Sequence, residues 1–140
     1  GKVSVPERRK IRKRLEKVLK DLGCHEAELS ILFTDDPGIA SLNMRYLGRE
    51  GPTNVLAFPM EGGPAPQVDS VMLGDVVISV DTALRESAEL GEPLEYTIER
   101  LLIHGVLHLL GYDHEKSAVQ AKKMALEEER LMALIREREG

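Results

Sequence analysis

Three of the four histidines of this chain fall within one apolar run, HGVLHLLGYDH, at residues 104 to 114. His104 and His108 are four residues apart, so on a helix they stack on one face and reach a common point. This is the two-ligand geometry of zinc-binding helices. His114, six residues later, cannot share that face unless the helix ends first. Gly111 is where it would end, because glycine accepts the left-handed backbone that turns a chain away from a helix. The turn GYD can then swing His114 back towards the other two. Three neutral imidazoles around a divalent ion leave a fourth position open, the arrangement of a catalytic rather than a structural zinc site. A lone histidine would be read as a satisfied core residue, but H-x3-H-x5-H with glycine at the break is read as a metal site. Zinc is the expected ion, and nickel, copper or cobalt would also accept three imidazoles.

The same spacing occurs in the metzincin proteases, H-E-x-x-H-x-x-G-x-x-H. Gly105 stands where those proteases carry the glutamate that takes a proton from the attacking water. Without a carboxylate there, peptide hydrolysis by their route is disfavoured. Phosphodiesters, whose transition state mainly needs charge stabilisation, are then the candidate substrates. Ser79 with Asp113 and His114 makes no hydrolase triad, since the chain has no G-x-S-x-G elbow. Asp113 is expected to serve the turn or to hydrogen-bond a metal ligand, and Asp75 to be a strand-end hydrogen-bond partner or else an acceptor behind a metal ligand, the first being preferred. Tyr112 should pack beneath the turn, Met124 and Met132 in the core, and His25 in solvent. Cys24 reads as inert filler.

The elements that must position these residues are punctuated clearly. Ser4 and Glu7 have capping-box order and open a first helix that stops near Gly23, with Ile11, Leu15, Val18, Leu19 and Leu22 at helical spacing. Residues 27 to 33 alternate and then run apolar like a strand. Asp36 before Pro37 reads as the N-cap of a helix reaching about Tyr46 and ending at Gly48. Residues 53 to 58 read as a strand closed by Pro59, 61 to 67 as a turn-rich loop, and 71 to 80 as the strongest strand. Asp81 is expected to cap a helix that stops at Gly91. Pro93 starts the histidine helix, whose apolar face holds Leu94, Ile98, Leu101 and Leu102. A last helix runs from about Ser117 to Arg138, with Ala121, Met124, Ala125, Leu131, Met132 and Ile135 inward. Strands and about five helices in this order predict an α+β fold, a small mixed sheet packed with helices around a zincin-like three-histidine site.

With 140 residues the chain is expected to form one domain over residues 1 to 140. Its 42% apolar and 31% charged residues are those of a globular protein. It has no long apolar run for a membrane span and no apolar leader, and a single cysteine; the expected setting is the cytoplasm, without membrane association. The net charge of −5 argues against a generic nucleic-acid binder. Residues 1 to 20 nonetheless hold nine Lys or Arg against Glu7 and Glu16, a basic face that can meet phosphate or simply be the solvated side of the first helix.

HGVLHLLGYDH, preceded by GPTNVLAFP at 51 to 59 and LGDVVIS at 73 to 79, resembles the YbeY family of metal-dependent single-strand endoribonucleases. The likeness covers most of residues 27 to 135 in order. It implies an α+β fold with a zinc-like ion on His104, His108 and His114. It also implies processing of the 3′ end of small-subunit ribosomal RNA, a part in ribosome quality control, and association with the ribosome or its small subunit; DNA is not an implied partner. Thr53 and Asn54 match the loop before a strand, with Asn54 the candidate for substrate binding, and Gly74 with Asp75 match a turn in the LGD strand. The family's usual N-x-x-Y-R-G-K segment reads NMRYLGRE here, so Leu47 stands in place of the arginine. Arg45 and Arg49, two residues to either side, become the candidates for its catalytic role. Two rival readings remain: a ribosome-assembly protein with a structural metal, and a metalloprotease with an unusual base.

Overall fold

The computed structural model describes residues 8–24, 27–60 and 71–136. In chain order the elements are α1 (Arg8–Asp21), β1 (Ala27–Thr34), α2 (Asp36–Leu47), β2 (Val55–Pro59), β3 (Val71–Ser79), α3 (Val80–Leu90), α4 (Leu94–Leu109) and α5 (Ala118–Arg136). The strands order as β1-β3-β2, with β3 parallel to β1 and antiparallel to β2. This mixed sheet with helices on both faces is the expected α+β architecture.

Register decides which residues meet which helices, because side chains alternate between the faces of a sheet. Val76 and Ile78 pair with Ile31 and Phe33 on one side and with Ala57 and Val55 on the other. That face packs against Ile11, Leu15 and Leu19 of α1 and Ile98, Leu102 and Val106 of α4. The opposite face presents Leu56 and Val77, which pack with Phe58 against Ile39 and Leu42 of α2. α5 lies outside α4, where Met124, Leu131, Met132 and Ile135 join Val18, Ile103 and Leu107. α4 is therefore covered by the sheet, α1 and α5. Ten of its sixteen residues are buried, including Thr97, Glu99 and Gly105.

Inside this shell one buried carboxylate gathers two guanidinium groups. Glu99 is almost fully buried and takes hydrogen bonds from Arg14 and, at 2.7 Å, from Arg136, whose guanidinium lies 3.9 Å from the Tyr96 ring centroid. Three helices are thus tied at one charge-assisted node.

Two caps differ from expectation by one or two residues. Asp35, not Asp36, caps α2, accepting from the Gly38 amide at 2.8 Å. Asp36 is left free to accept from Ser79 Oγ and Thr82 Oγ1, both at 2.6 Å, and from Arg85 at 2.7 Å. Ser79, not Asp81, caps α3, and the Asp81 carboxylate instead accepts from the Asp36 amide at 2.9 Å. The exchange joins the starts of α2 and α3, a tertiary gain available only because both sequences offer two cap-competent residues. β2 begins two residues later than predicted and includes Pro59, tolerable on an edge strand. Gly74 lies inside β3 at a register shift opposite Glu28 and Leu29, not in a turn. Its φ is 145°, and a Cβ there would sit 2.2 Å from the Phe58 carbonyl oxygen. Ala125 is exposed, because the inward stripe of α5 runs through Met124, Leu131, Met132 and Ile135. The predicted Ser4–Glu7 capping box, the 61–67 loop, His25 and the last helical residues at 137–138 lie outside the described residues.

Candidate metal centre and cleft

α4 carries His104 and His108 one turn apart, with Nε2 to Nε2 at 3.1 Å and ring centroids 4.6 Å apart. The helix stops as glycine placement predicts. Gly111, at φ 105°, donates to the His108 carbonyl and Tyr112 to the Leu107 carbonyl, each at 3.0 Å. This paired arrangement is a Schellman C-cap. It aims the chain back, so that His114 brings its ring centroid to 5.3 Å from that of His104 and 5.2 Å from that of His108. Tyr112 is half-buried beside Leu107 and Met124, as expected. Asp113 stabilises the turn by accepting from the Glu115 amide at 2.9 Å.

One nitrogen from each ring lies within 4.8 Å of the others. Zinc–nitrogen bonds of about 2.0–2.1 Å in a tetrahedral site separate ligand nitrogens by roughly 3.3 Å. The 3.1 Å pair is already there and the exposed His114 has only to close in, so the donor set fits a divalent ion. Burial, then repulsion from His104 and His114, holds the His108 pKa below its ordinary value. That favours the neutral form a metal requires.

A fourth residue joins the site that nothing in the sequence singles out. Glu128 of α5 hydrogen-bonds His104 at Nδ1, the ring nitrogen facing away from His108. It sits within the run LEEER, where no spacing distinguishes it from its neighbours.

Gly105 is explained by packing. A Cβ built on it would lie 2.7 Å from Val76 Cγ1 and 3.0 Å from Cγ2, so α4 approaches the sheet through the missing side chain. The position that holds the base in the proteases is closed by β3 here.

The histidines line an open cleft of about 890 Å³. Its far wall is β2, a sheet edge, together with Leu47, Arg49, Thr53 and Asn54 from the preceding segment. Asn43 fastens that segment by donating to the Gly51 carbonyl at 3.0 Å. Arg49 reaches across to Glu115 at 3.7 Å with both side chains more than half exposed, an ion pair worth little in water. Arg45 is not among the lining residues. Its guanidinium instead lies 5.9 Å from the centroid of the Tyr46 ring, which packs edge-on to Phe58. Asn54 lines the cleft while donating to Glu86 at 2.8 Å. Asp75 is exposed on β3, paired in register with Phe58 and Ser30. Ser79 is committed to Asp36 and the α3 cap. Cys24 is half-buried against the core. The basic α1 packs on α4 and α5. Lys10 pairs with Glu95, Lys17 donates to the Leu134 carbonyl, and among the described residues none of α1 lines the cleft.

An α+β layer whose buried helix offers two histidines, with a third returned by a glycine turn into an open cleft, defines a zincin-like metal-site protein. Comparison with known proteins narrows the class. The family model for endoribonuclease YbeY matches residues 2–136. A protein of that name from Syntrophus aciditrophicus is 47% identical over 109 residues, covering 78% of this chain and 68% of the relative. One from Geobacter metallireducens is 43% identical over 132 residues, 94% of this chain and 87% of the relative. One from Aquifex aeolicus is 49% identical over 117 residues, 81% and 74% of the two chains. A solution structure from Thermotoga maritima matches the fold with a TM-score of 0.65 at 21% identity, over 95% of this chain and 85% of that one. The chain belongs to the endoribonuclease YbeY family, and with it to the nucleases. No helix among the described residues is long and apolar enough to cross a membrane.

Proposed function

We propose that this protein is a metal-dependent endoribonuclease that cuts single-stranded ribosomal RNA at the 3′ end of the small-subunit transcript. We place it in the cytoplasm, in contact with the ribosome or its small subunit, where the same activity would serve quality control. The observation that carries the reading is the convergence of His104, His108 and His114 in an open cleft with Arg49 on the facing segment. A zinc ion held by the three imidazoles would supply Lewis-acid polarisation of a phosphodiester oxygen and lower the pKa of bound water to about 7.

The chain's own residues do the rest. His104 and His108 are fixed by a buried helix, and His114 by the Gly111 cap, so the site is largely assembled before substrate arrives. Arg49 can exchange its weak pairing with Glu115 for a phosphate, which a guanidinium grips in two places. Arg45, held beside Tyr46, is the second candidate for charge compensation. Asn54, with one amide proton on Glu86, keeps its second proton and its carbonyl for substrate. The closed environment of Gly105 supports phosphodiester over peptide chemistry.

Cleavage of a single-stranded ribosomal RNA fragment by metal-quantified protein tests the reading, with His114→Ala purified in parallel and checked for folding. Wild type should carry about one ion per chain and cut, and the folded variant should lose both. Equal cutting by both proteins would overturn the assignment. Metal loss that lowers the melting temperature without touching any cleavage would favour the structural-metal, assembly-factor reading.

A further inference from the structure

We propose that Glu128 is the positioning residue of this centre: by accepting a hydrogen bond from His104 Nδ1 it fixes the ring in the tautomer whose Nε2 lone pair faces His108 and His114. The proposal rests on the three-histidine metal reading, but its first test does not require metal.

The geometry is specific. His104 uses its two ring nitrogens in opposite directions, Nδ1 towards Glu128 and Nε2 towards His108 Nε2 at 3.1 Å. A neutral imidazole has one N–H and one lone pair, so the partner of one nitrogen decides what the other can do. A carboxylate can only accept, which assigns the proton to Nδ1 and leaves Nε2 unprotonated for a ligand. Both side chains are largely shielded, at 24% and 20% exposed, so water competes poorly for the Nδ1 contact. Glu128 is itself fixed, because α5 is locked to α4 by Met124, Leu131 and Met132 against Ile103 and Leu107.

The same geometry excludes a different role. Glu128 stands behind the His104 ring, on the side away from the three converging nitrogens, and it is absent from the cleft lining. It does not replace the glutamate missing at Gly105 and takes no proton from the reacting water. It acts through His104, as carboxylates that orient metal-bound histidines do.

Long-range proton–nitrogen NMR of the metal-free protein at pH 8 reads the tautomer of each histidine directly. Wild type should show His104 protonated on Nδ1. Glu128→Leu, which keeps the packing volume and removes the acceptor, should shift it towards the Nε2-protonated form and weaken zinc binding roughly 10- to 100-fold in chelator competition. Glu128→Gln retains an acceptor oxygen and should hold both readouts near wild type. Glu129→Gln, on the exposed neighbour, should change neither. The idea fails if Glu128→Leu, folded by circular dichroism, keeps the wild-type tautomer and zinc affinity. It fails equally if Glu128→Gln shifts the tautomer as fully as the leucine does. Wild type that shows the Nδ1–H tautomer but binds no zinc would sink the metal reading while leaving the Glu128 contact standing.

Discussion

Gly105→Ala is the most informative single change, because it puts one methyl group between the helix of His104 and His108 and the sheet. The new carbon would start 2.7 Å and 3.0 Å from the two methyls of Val76. Carbon atoms in good contact sit about 3.5–4.0 Å apart, so roughly 1 Å must be found. Val76 is wholly buried and α4 is backed by α5, which leaves little slack on either side. Two effects oppose each other. Alanine gains about 1 kcal/mol over glycine in a helix interior, and overpacking costs about 1–3 kcal/mol. The expected result in urea unfolding of the metal-free protein is a net loss of about 0–2 kcal/mol. Metal affinity should fall further than stability does, since His104 and His108 move with α4 while His114 sits on the turn beyond it. Val76→Ala in the same chain removes both clashing methyls, so the penalty for Gly105→Ala should shrink there, with a coupling of about 1–3 kcal/mol in a double-mutant cycle. A Gly105→Ala variant that is about 1 kcal/mol more stable than wild type and binds zinc normally would show that helix propensity alone governs the site, and would refute the packing argument.

Asp36 should set an acid limit on stability: burial works against its charged form, but hydrogen bonds from Ser79, Thr82 and Arg85 outweigh that and hold its pKa at about 2 rather than 3.8. Its contribution, at most about 2 kcal/mol and partly screened at the exposed Arg85, is complete above pH 3.8 and is lost as pH falls towards 2. Asp36→Asn should therefore lower the urea midpoint at pH 7 and flatten its dependence on pH between 4 and 2. Glu99→Ala should cost about 3 kcal/mol, because it removes the buried carboxylate that Arg136 and Arg14 share and leaves Arg14 its longer pairing with Glu95, an effect that unfolding curves resolve easily. Zinc at about one hundred times its dissociation constant should stabilise wild type by about 2.7 kcal/mol and raise its melting temperature by roughly 5–10 °C, a shift that chelator reverses and His114→Ala lacks.

The three-histidine centre was legible because its determinants are local. A four-residue spacing brings two histidines onto one helix face, and one glycine fixes where the helix ends. The element order was legible for the same reason, since caps, prolines and glycines act within a turn or two. What stayed hidden was set by contacts distant in sequence. Both caps shifted where close neighbours, Asp35 with Asp36 and Ser79 with Asp81, were equally able to cap. The choice was made by the knot that Asp36 forms with Ser79, Thr82 and Arg85, forty-three residues and more away. Glu128 was invisible because its partner is twenty-four residues away on another helix. The two arginines had equal standing in sequence, and only the path of the segment after α2 separates Arg49, in the cleft, from Arg45, beside Tyr46.

The missing protease glutamate and the carboxylate behind His104 bear on the same question. In the H-E-x-x-H arrangement the residue after the first histidine places a base on the metal's open side. Here that residue faces β3 so closely that even a Cβ would overlap the Val76 methyls, which leaves no room for a glutamate in this packing. Among the described residues, the carboxylate that hydrogen-bonds a converging histidine, that of Glu128, approaches from the opposite side of its ring. Neither can relay a proton between an attacking water and a leaving amine, the step on which peptide hydrolysis depends. A phosphodiester makes less demand of this kind, because the charge spread over its oxygens can be met by cations, while water in the open cleft can exchange protons with the nucleophile and the leaving oxygen. Arg49, facing the histidines across the cleft and only loosely held by Glu115, is the cation that the proposed reaction would recruit. The packing of one glycine against one valine thus removes one chemistry from a shared spacing and leaves room for another.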